Sequence, residues 1–336
     1  IYTNAYAAAN MNTGNNDTGL PMVRAMFLEF PNEPTAYTDL AKYQYMWGEN
    51  LLVAPLYEDV HADEVGNDVR NGIYLPGGSN QIWIDYFTGK QYRGGQVLNS
   101  FDAPIWKLPL FVKNGAIIPM YEEHNSALPG TDDSLDKSKR IVEFWPEGET
   151  DFTSIEDDGY SMTNSTSNEE GYGVIEDIDY GNHVSTRFTS VVKDGTATLT
   201  AEKANGTYTG YTENKNTTFV VNASKKPASL EAYNGSSKLK EVTVDSKDAF
   251  DKATANDGEF VVFYDENPAI ETFAPAEETE IADLVKDVKV SGKLYVKFAK
   301  TNTQENEQKL VINGFENKGD LGQDVVNEKL SVPANF

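Results

Sequence analysis

The chain has 336 residues, with 53 acidic against 28 basic side chains, a formal charge of -25 and no cysteine. That length suits two or three domains of roughly 100–200 residues each. The charge sets the surface against phosphate backbones and anionic membranes, which excludes nucleic acid as a natural partner, and the missing thiols exclude disulfide scaffolds, thiolate zinc sites and cysteine nucleophiles.

No apolar run reaches the roughly 18–20 residues that a membrane-crossing helix needs, so no membrane span is expected. Ile1 opens no signal peptide, because neither a basic start nor a long apolar stretch is present. The chain is therefore expected to begin at an interior point of a longer polypeptide. Residues 1–12 are rich in Ala and suit a helix end, stopped by Thr13-Gly14-Asn15-Asn16-Asp17. Leu20 to Phe30 is almost continuously apolar, broken by Arg24 and Glu29, as expected of a strand buried on both faces in a parallel barrel. Pro31-Asn32-Glu33-Pro34 turns the chain, and Thr35 to Trp47 reads as a helix with Leu40, Tyr43 and Trp47 on it. One strand and two helical pieces cannot cover their own apolar faces, so further strands are expected from upstream sequence.

From about Asn50 to Tyr121 short apolar segments alternate with Gly, Pro and Asn, the pattern of an antiparallel sandwich. His124 to Arg140 is polar and reads as a linker. Strands resume at Ile141 to Trp145, Thr186 to Val192, Thr196 to Thr200, Gly206 to Thr212, Thr217 to Val221, Ser229 to Ala232 and Glu259 to Tyr264. After Pro268 an acidic link leads to Leu294 to Ala299 and Lys309 to Gly314. The fold class expected is mainly β with a truncated α/β element. Its divisions are residues 1–49 as that truncated element, 50–123 as a proximal β-sandwich, 124–267 as a distal β-domain with its linker, and 268–336 as the start of a further β module. No fixed-period repeat points to a solenoid or propeller. Asn-x-Ser/Thr triplets at Asn164, Asn205, Asn216, Asn222 and Asn234 are what a chain rich in Asn, Ser and Thr yields by chance.

The order of short motifs is the most informative feature. Arg24-Ala25-Met26-Phe27 with Glu29-Phe30-Pro31 is followed by Leu51-Leu52-Val53-Ala54-Pro55 and by Ile73-Tyr74-Leu75-Pro76. Next come Trp83-Ile84-Asp85-Tyr86-Phe87-Thr88-Gly89 and the run from Ala103-Pro104 through Pro109-Leu110-Phe111-Val112 to Pro119. Together with Glu156-Asp157-Asp158-Gly159, this ordered set resembles the C-terminal part of the retaining α-glucosidases of glycoside hydrolase family 31. The likeness extends from Gly19 to Ser161, and it implies that residues 1–49 are the incomplete end of a (β/α)8 barrel, its last strand and helices, followed by antiparallel β-sandwich domains. It implies an enzyme acting on α-glucosidic bonds, with an oligosaccharide or α-glucan as substrate and no cofactor or metal. The nucleophile and the acid/base would lie upstream of Ile1, so no catalytic residue is assigned within this chain and the chain alone is expected to be inactive. Trp106, where many members have Asp, is similar to the branch that includes α-1,6-glucosyl and isomaltosyl transferases.

Retaining glycosidases need two carboxyl groups about 5–5.5 Å apart. Asp85 invites that role, but it sits in a hairpin running into Thr88-Gly89 and is expected to be structural. Glu156-Asp157-Asp158 reads as an acidic turn, since the six to eight or so oxygen ligands that calcium takes are not spaced along it. Arg24 reads as a buried ion pair or as a hydrogen bond that locks the barrel seam. Glu29 and Asn32, at the end of the presumed barrel strand, are expected to shape a sugar pocket, and Trp106 to offer a ring for stacking. The other aromatics, Trp83, Tyr86, Phe87, Tyr92 and Tyr121, are expected to fill the core. His61, His124 and His183 read as surface residues, and Gly77-Gly78 and Gly94-Gly95 as hairpin turns. The expected location is extracellular or the cell surface of a bacterium. The rival from another class is a non-catalytic carbohydrate-binding or adhesion protein of β-sandwich modules, which has no use for residues 1–49.

Overall fold

The computed structural model describes residues 1–9, 11–58, 68–104, 106–122, 135–159, 182–270, 279–319, 321 and 326–329. It is mainly β, built as two joined sandwiches. In the proximal sandwich, the larger sheet runs Val23–Ala25, Tyr45–Trp47, Leu51–Val53, Leu110–Lys113, Ile82–Asp85 and Gln91–Arg93 in spatial order. Every neighbour in it is antiparallel. Opposite lie Ile73–Leu75 beside Gln96–Asn99, and Asp68–Arg70 beside Phe101–Ala103. Between these layers Met46, Leu52, Tyr74, Trp83, Leu98, Phe101 and Phe111 close one core, each large side chain contributing about 1.5–3 kcal/mol on burial.

This pairing corrects the reading of Leu20 to Phe30 as a barrel strand. Val23–Ala25 is an edge strand of the sandwich, antiparallel to Tyr45–Trp47, and a short helix, Met26–Glu29, follows at once. Its apolar run does not reflect burial on both faces: Arg24 and Met26 turn inward while Val23, Phe27 and Leu28 face solvent. Nor is Thr35 to Trp47 one helix. Pro34–Tyr37 and Asp39–Ala41 are 3-10 turns broken at Thr38, whose backbone is extended. Tyr45–Trp47 then folds back on Leu51–Val53 with Tyr45 opposite Val53. Gly48 permits that hairpin with a φ of +60°, and a Cβ there would lie 2.5 Å from Asn4 Nδ2.

The distal sandwich packs two larger sheets. One runs Ile117–Tyr121, Lys139–Phe144, Asn214–Asn222, Lys293–Phe298, Glu259–Asp265 and Lys240–Thr243; the other runs Glu149–Glu156, Val184–Lys193, Thr196–Ala201, Gln308–Asn313, Ser229–Asn234 and Ser237–Lys238. Phe144, Phe188, Leu199, Phe219, Val296, Phe298 and Ile312 fill the space between them. Alternation is regular, as in Thr196–Ala201, where Ala197, Leu199 and Ala201 turn inward. Two expected boundaries give way. Ile117–Tyr121, assigned by sequence to the proximal unit, is the first strand of the distal sheet, with Ile117 opposite Phe144. Lys293–Phe298 and Gln308–Asn313, expected to open a further module, are central strands of the two distal sheets. Of the strand expected over Gly206 to Thr212 only Gly206 pairs, as the second residue of the short strand Asn205–Gly206. Val326–Lys329 returns to the proximal sandwich beside Gln96–Asn99.

The N-terminal segment ties the two units together. Helix Tyr2–Ala8 lies against Glu149–Glu156, the outermost strand of its sheet. Thr3 Oγ1 accepts from the Ile155 N–H at 2.9 Å, and the Asn15 amide brackets Thr153, accepting from its N–H at 2.8 Å and donating to its carbonyl at 2.9 Å. Side chains thus satisfy alternate backbone groups that an edge strand would otherwise present to another chain.

Candidate functional site

The hairpin of Trp83 to Gly89 is organised around Asp85. Oδ1 accepts from the Phe87 N–H at 3.2 Å and Oδ2 from the Thr88 hydroxyl at 2.8 Å, while Lys107 Nζ lies 2.7 Å from Oδ2. Both charges are buried, and Lys107 also sits 4.4 Å above the Phe101 ring. Asp85 is thus a turn cap and a buried ion-pair partner, the structural role weighed for it from sequence. Gly89 completes the turn with a φ of +74°; its position is pressed against Ser291, whose N–H donates to Thr88 O at 2.8 Å. The motif therefore seats the proximal hairpin on the distal sandwich.

Trp106 follows Phe101–Ala103 and meets Phe87 edge-on at 6.3 Å, leaving its indole half-buried. Glu29 and Asn32 stand elsewhere. Glu29 ends the helix after the edge strand and accepts from Arg24 Nη1 at 2.8 Å; Asn32 is exposed in the next turn. Val23–Ala25 and Ile82–Asp85 are four places apart in the sheet, about 19 Å at about 4.8 Å per strand. The structure does not bring the three expected sugar-binding residues together.

Arg24 anchors a buried charge cluster that sequence reading caught only in part. It pairs with Glu29 and lies 3.5 Å from Asp17, and among the described residues Arg24 Nε, Arg24 Nη2 and Asp17 Oδ1 have no hydrogen-bond partner. Glu49 belongs to the same cluster: burial, then the Asp17 charge, raises its carboxyl above the ordinary glutamate range, against the pull of Lys113. Asp17 and Glu49 went unnoticed because both sit in turns, where an acidic residue carries no burial signal.

The acidic turn is likewise engaged. Glu156 accepts from the Tyr121 hydroxyl at 2.9 Å and from Lys215 Nζ at 3.2 Å, and Asp157 from the Tyr2 hydroxyl at 2.5 Å. Burial pushes the Tyr121 hydroxyl up and the Lys215 ammonium down from their ordinary values, with Glu156 adding to the first shift and opposing the second. Lys215 and its neighbour Arg140 were invisible as buried cations, because strand alternation alone does not mark which inward position carries charge. Trp83, Phe87 and Tyr92 are buried core residues, while Tyr86 and Tyr121 are partly buried. His183, expected at the surface, is half-buried with Nδ1 3.3 Å from the Tyr6 hydroxyl; His61 and His124 lie outside the described residues. No group of His, Asp and Glu among the described residues is arranged to hold a metal ion.

What fold and site define is a pair of β-sandwiches locked by motif hairpins and buried ion pairs. The profile of the glycosyl hydrolase family 31 C-terminal domain matches residues 19–118. An isomaltosyltransferase of Sporosarcina globispora is 37% identical over 161 residues, covering 47% of this chain and 13% of that protein. Alpha-glucosidase 2 of Bacillus thermoamyloliquefaciens is 26% identical over 150 residues, covering 44% of this chain and 17% of that protein. The structure of a Flavobacterium johnsoniae dextranase complexed with glucose aligns over 90% of this chain and 30% of its own length, with a TM-score of 0.59 at 23% identity. By sequence the chain is similar to members of glycoside hydrolase family 31, and the match to that family's C-terminal domain takes in 100 of this chain's 336 residues. The chain covers 13% and 17% of the length of these two curated relatives.

Proposed function

We propose that this chain is the β-scaffold of a retaining α-glycosidase that hydrolyses α-glucosidic bonds of oligosaccharides, with its carboxylate pair and (β/α)8 barrel supplied upstream of Ile1. The observation that carries this reading is the ordered motif set within residues 19–118, which falls on one family profile. Asp85, the one Trp-x-Asp carboxylate in that span, is spent on a turn and on Lys107, so the chain's part is to support and not to react. Asn32, which is exposed, and Trp106, which is half-buried, are assigned to sugar contact at two separate places. Glu29, held by Arg24, positions the strand end. Secretion or display on the surface of a bacterium belongs to the same proposal, supported by the strongly acidic surface.

A second reading is α-glucosyl transfer, of the 1,6-glucosyl or isomaltosyl kind, by the same chemistry with a sugar in place of water. The isomaltosyltransferase's higher identity and Trp106 favour it. The full polypeptide, given maltose, isomaltose, nigerose and maltotetraose, separates the two: free glucose marks the hydrolase, and lengthened products mark the transferase. No turnover of any α-glycoside would leave the carbohydrate-binding or adhesion protein standing instead.

A further inference from the structure

At one end of the distal sandwich the space between the two sheets is polar and charged. One sheet supplies Arg140, flanked in register by Tyr121 and Thr217, and Lys215 two positions before Thr217 on the same strand. The other supplies Glu156 and Gln308. Arg140 is only 7% exposed, and Lys215 and Gln308 1% each. Lys137 borders the group, its Nζ 3.4 Å from the Tyr208 hydroxyl and 3.2 Å from the Asp157 carbonyl.

The charges here do not pair off. Glu156 is held by Lys215 Nζ at 3.2 Å and by the Tyr121 hydroxyl at 2.9 Å. Asp157, next along the chain, accepts from the Tyr2 hydroxyl and from the Gly159 N–H at 2.7 Å. Arg140 is left with neutral acceptors: among the described residues its Nη2 donates to Thr217 Oγ1 at 3.1 Å and to Gln308 Oε1 at 3.5 Å. Its Nε and the adjacent Gln308 Nε2, both donors, have no partner among the described residues. The Phe188 ring, 5.1 Å from Arg140 Cζ, compensates part of the charge. Burial pulls the guanidinium below its ordinary value while Glu156 pulls the other way, and a buried cation is costly unless negative charge meets it.

We propose that Arg140 Nε and Gln308 Nε2 hold a small monovalent anion of the chloride class between the sheets of the distal sandwich. Water would offer lone pairs to these donors but no charge to the guanidinium. Sheets stacked about 10 Å apart, with Phe188 and Gln308 between them, leave room for a single ion and not for a sugar or an organic phosphate. The formal charge of -25 does not forbid this: surface charges are screened beyond about 8 Å at physiological ionic strength, whereas Arg140, Lys215 and Lys137 act from close by. Tyr121, Lys137 and Tyr211 are only half-buried, so the ion exchanges with solvent past them.

Anomalous diffraction from crystals of the 336-residue chain grown in sodium bromide tests this, with a bromide peak expected in contact with Arg140 Nε and Gln308 Nε2. In solution, replacing gluconate by chloride at constant ionic strength is expected to raise the melting temperature by about 2–4 °C per tenfold chloride. Gln308→Glu sets a carboxylate where Arg140 already reaches Gln308 Oε1. That variant is expected to fold and to lose both the bromide peak and the chloride response. Ordered water at Arg140 in place of bromide overturns the proposal. So does a bromide peak with a melting temperature indifferent to chloride, which is an adventitious ion only. A Gln308→Glu chain that keeps the full chloride response overturns it as well, because the ion is then held elsewhere. The first two readouts use the unsubstituted chain and decide the matter however the variant folds.

Discussion

In the proximal sandwich the strands of the larger sheet are three or four residues long, and the fold leans on individual side chains: Asp85 with Lys107, Arg24 with Glu29 and Asp17, and Gln44, which bonds both the N–H and the carbonyl of Tyr74. In the distal sandwich strands run to ten residues, and one continuous core of alternating apolar positions spans both sheets. Short strands give few ladder bonds and little inward surface, so position-specific polar contacts take over, and these are what leave recognisable motifs in the sequence. Long alternating strands need only hydrophobicity at every second residue, a condition many sequences meet. Motif density therefore tracks where geometry depends on single residues, which is why the likeness to the family fades in the unit with the larger core.

If that contrast holds, Asp85→Ala is the most damaging single change in the proximal unit. It strands a buried Lys107 and removes two turn bonds, for an expected loss of about 3–5 kcal/mol in denaturant unfolding. Phe219→Ala is expected to cost a comparable 3–5 kcal/mol or so in the distal core through cavity formation. Phe219→Leu there should be mild, at under about 1.5 kcal/mol, where no conservative replacement rescues Asp85. Parity between Phe219→Leu and Asp85→Ala would break the distinction. Gly48→Ala combines a left-handed backbone with a collision at Asn4 and is expected to lose about 1–3 kcal/mol in thermal unfolding.

Glu49 sharpens the comparison through pH. Its folded carboxyl titrates above the ordinary range, so the folded chain holds that proton longer than the unfolded one. The stability it contributes is complete below the unfolded pKa and is lost as pH climbs through the folded one. Glu49→Gln is accordingly expected to raise the melting temperature near about pH 7 and to change little near about pH 4, and a melting curve series across that range checks it. An equal rise at both pH values would remove the acid cluster as a source of strain. The smallest effect is expected from Val191→Ser on an exposed distal position, within about 0.5 kcal/mol of the parent chain.

The sequence by itself determined the mainly β class, the likeness to the family, most of the distal strands and the structural role of Asp85. Those follow from local information: period-two alternation, turn residues, and motifs whose members lie within a few positions of one another. Only the tertiary structure decided that Val23–Ala25 is an antiparallel edge and not a barrel strand, since a continuous apolar run looks the same whether both faces are buried or one is left open. Only it placed Lys293–Phe298 and Gln308–Asn313 at the centres of the two distal sheets. Strand pairing at long sequence separation leaves no mark on the residues between, so what reads along the chain as a new module is the last piece of an old one. The same holds for the site. Glu29, Asn32 and Trp106 shared an expectation in sequence, and the sheet order separates them, because proximity is fixed by register and strand order and not by residue type.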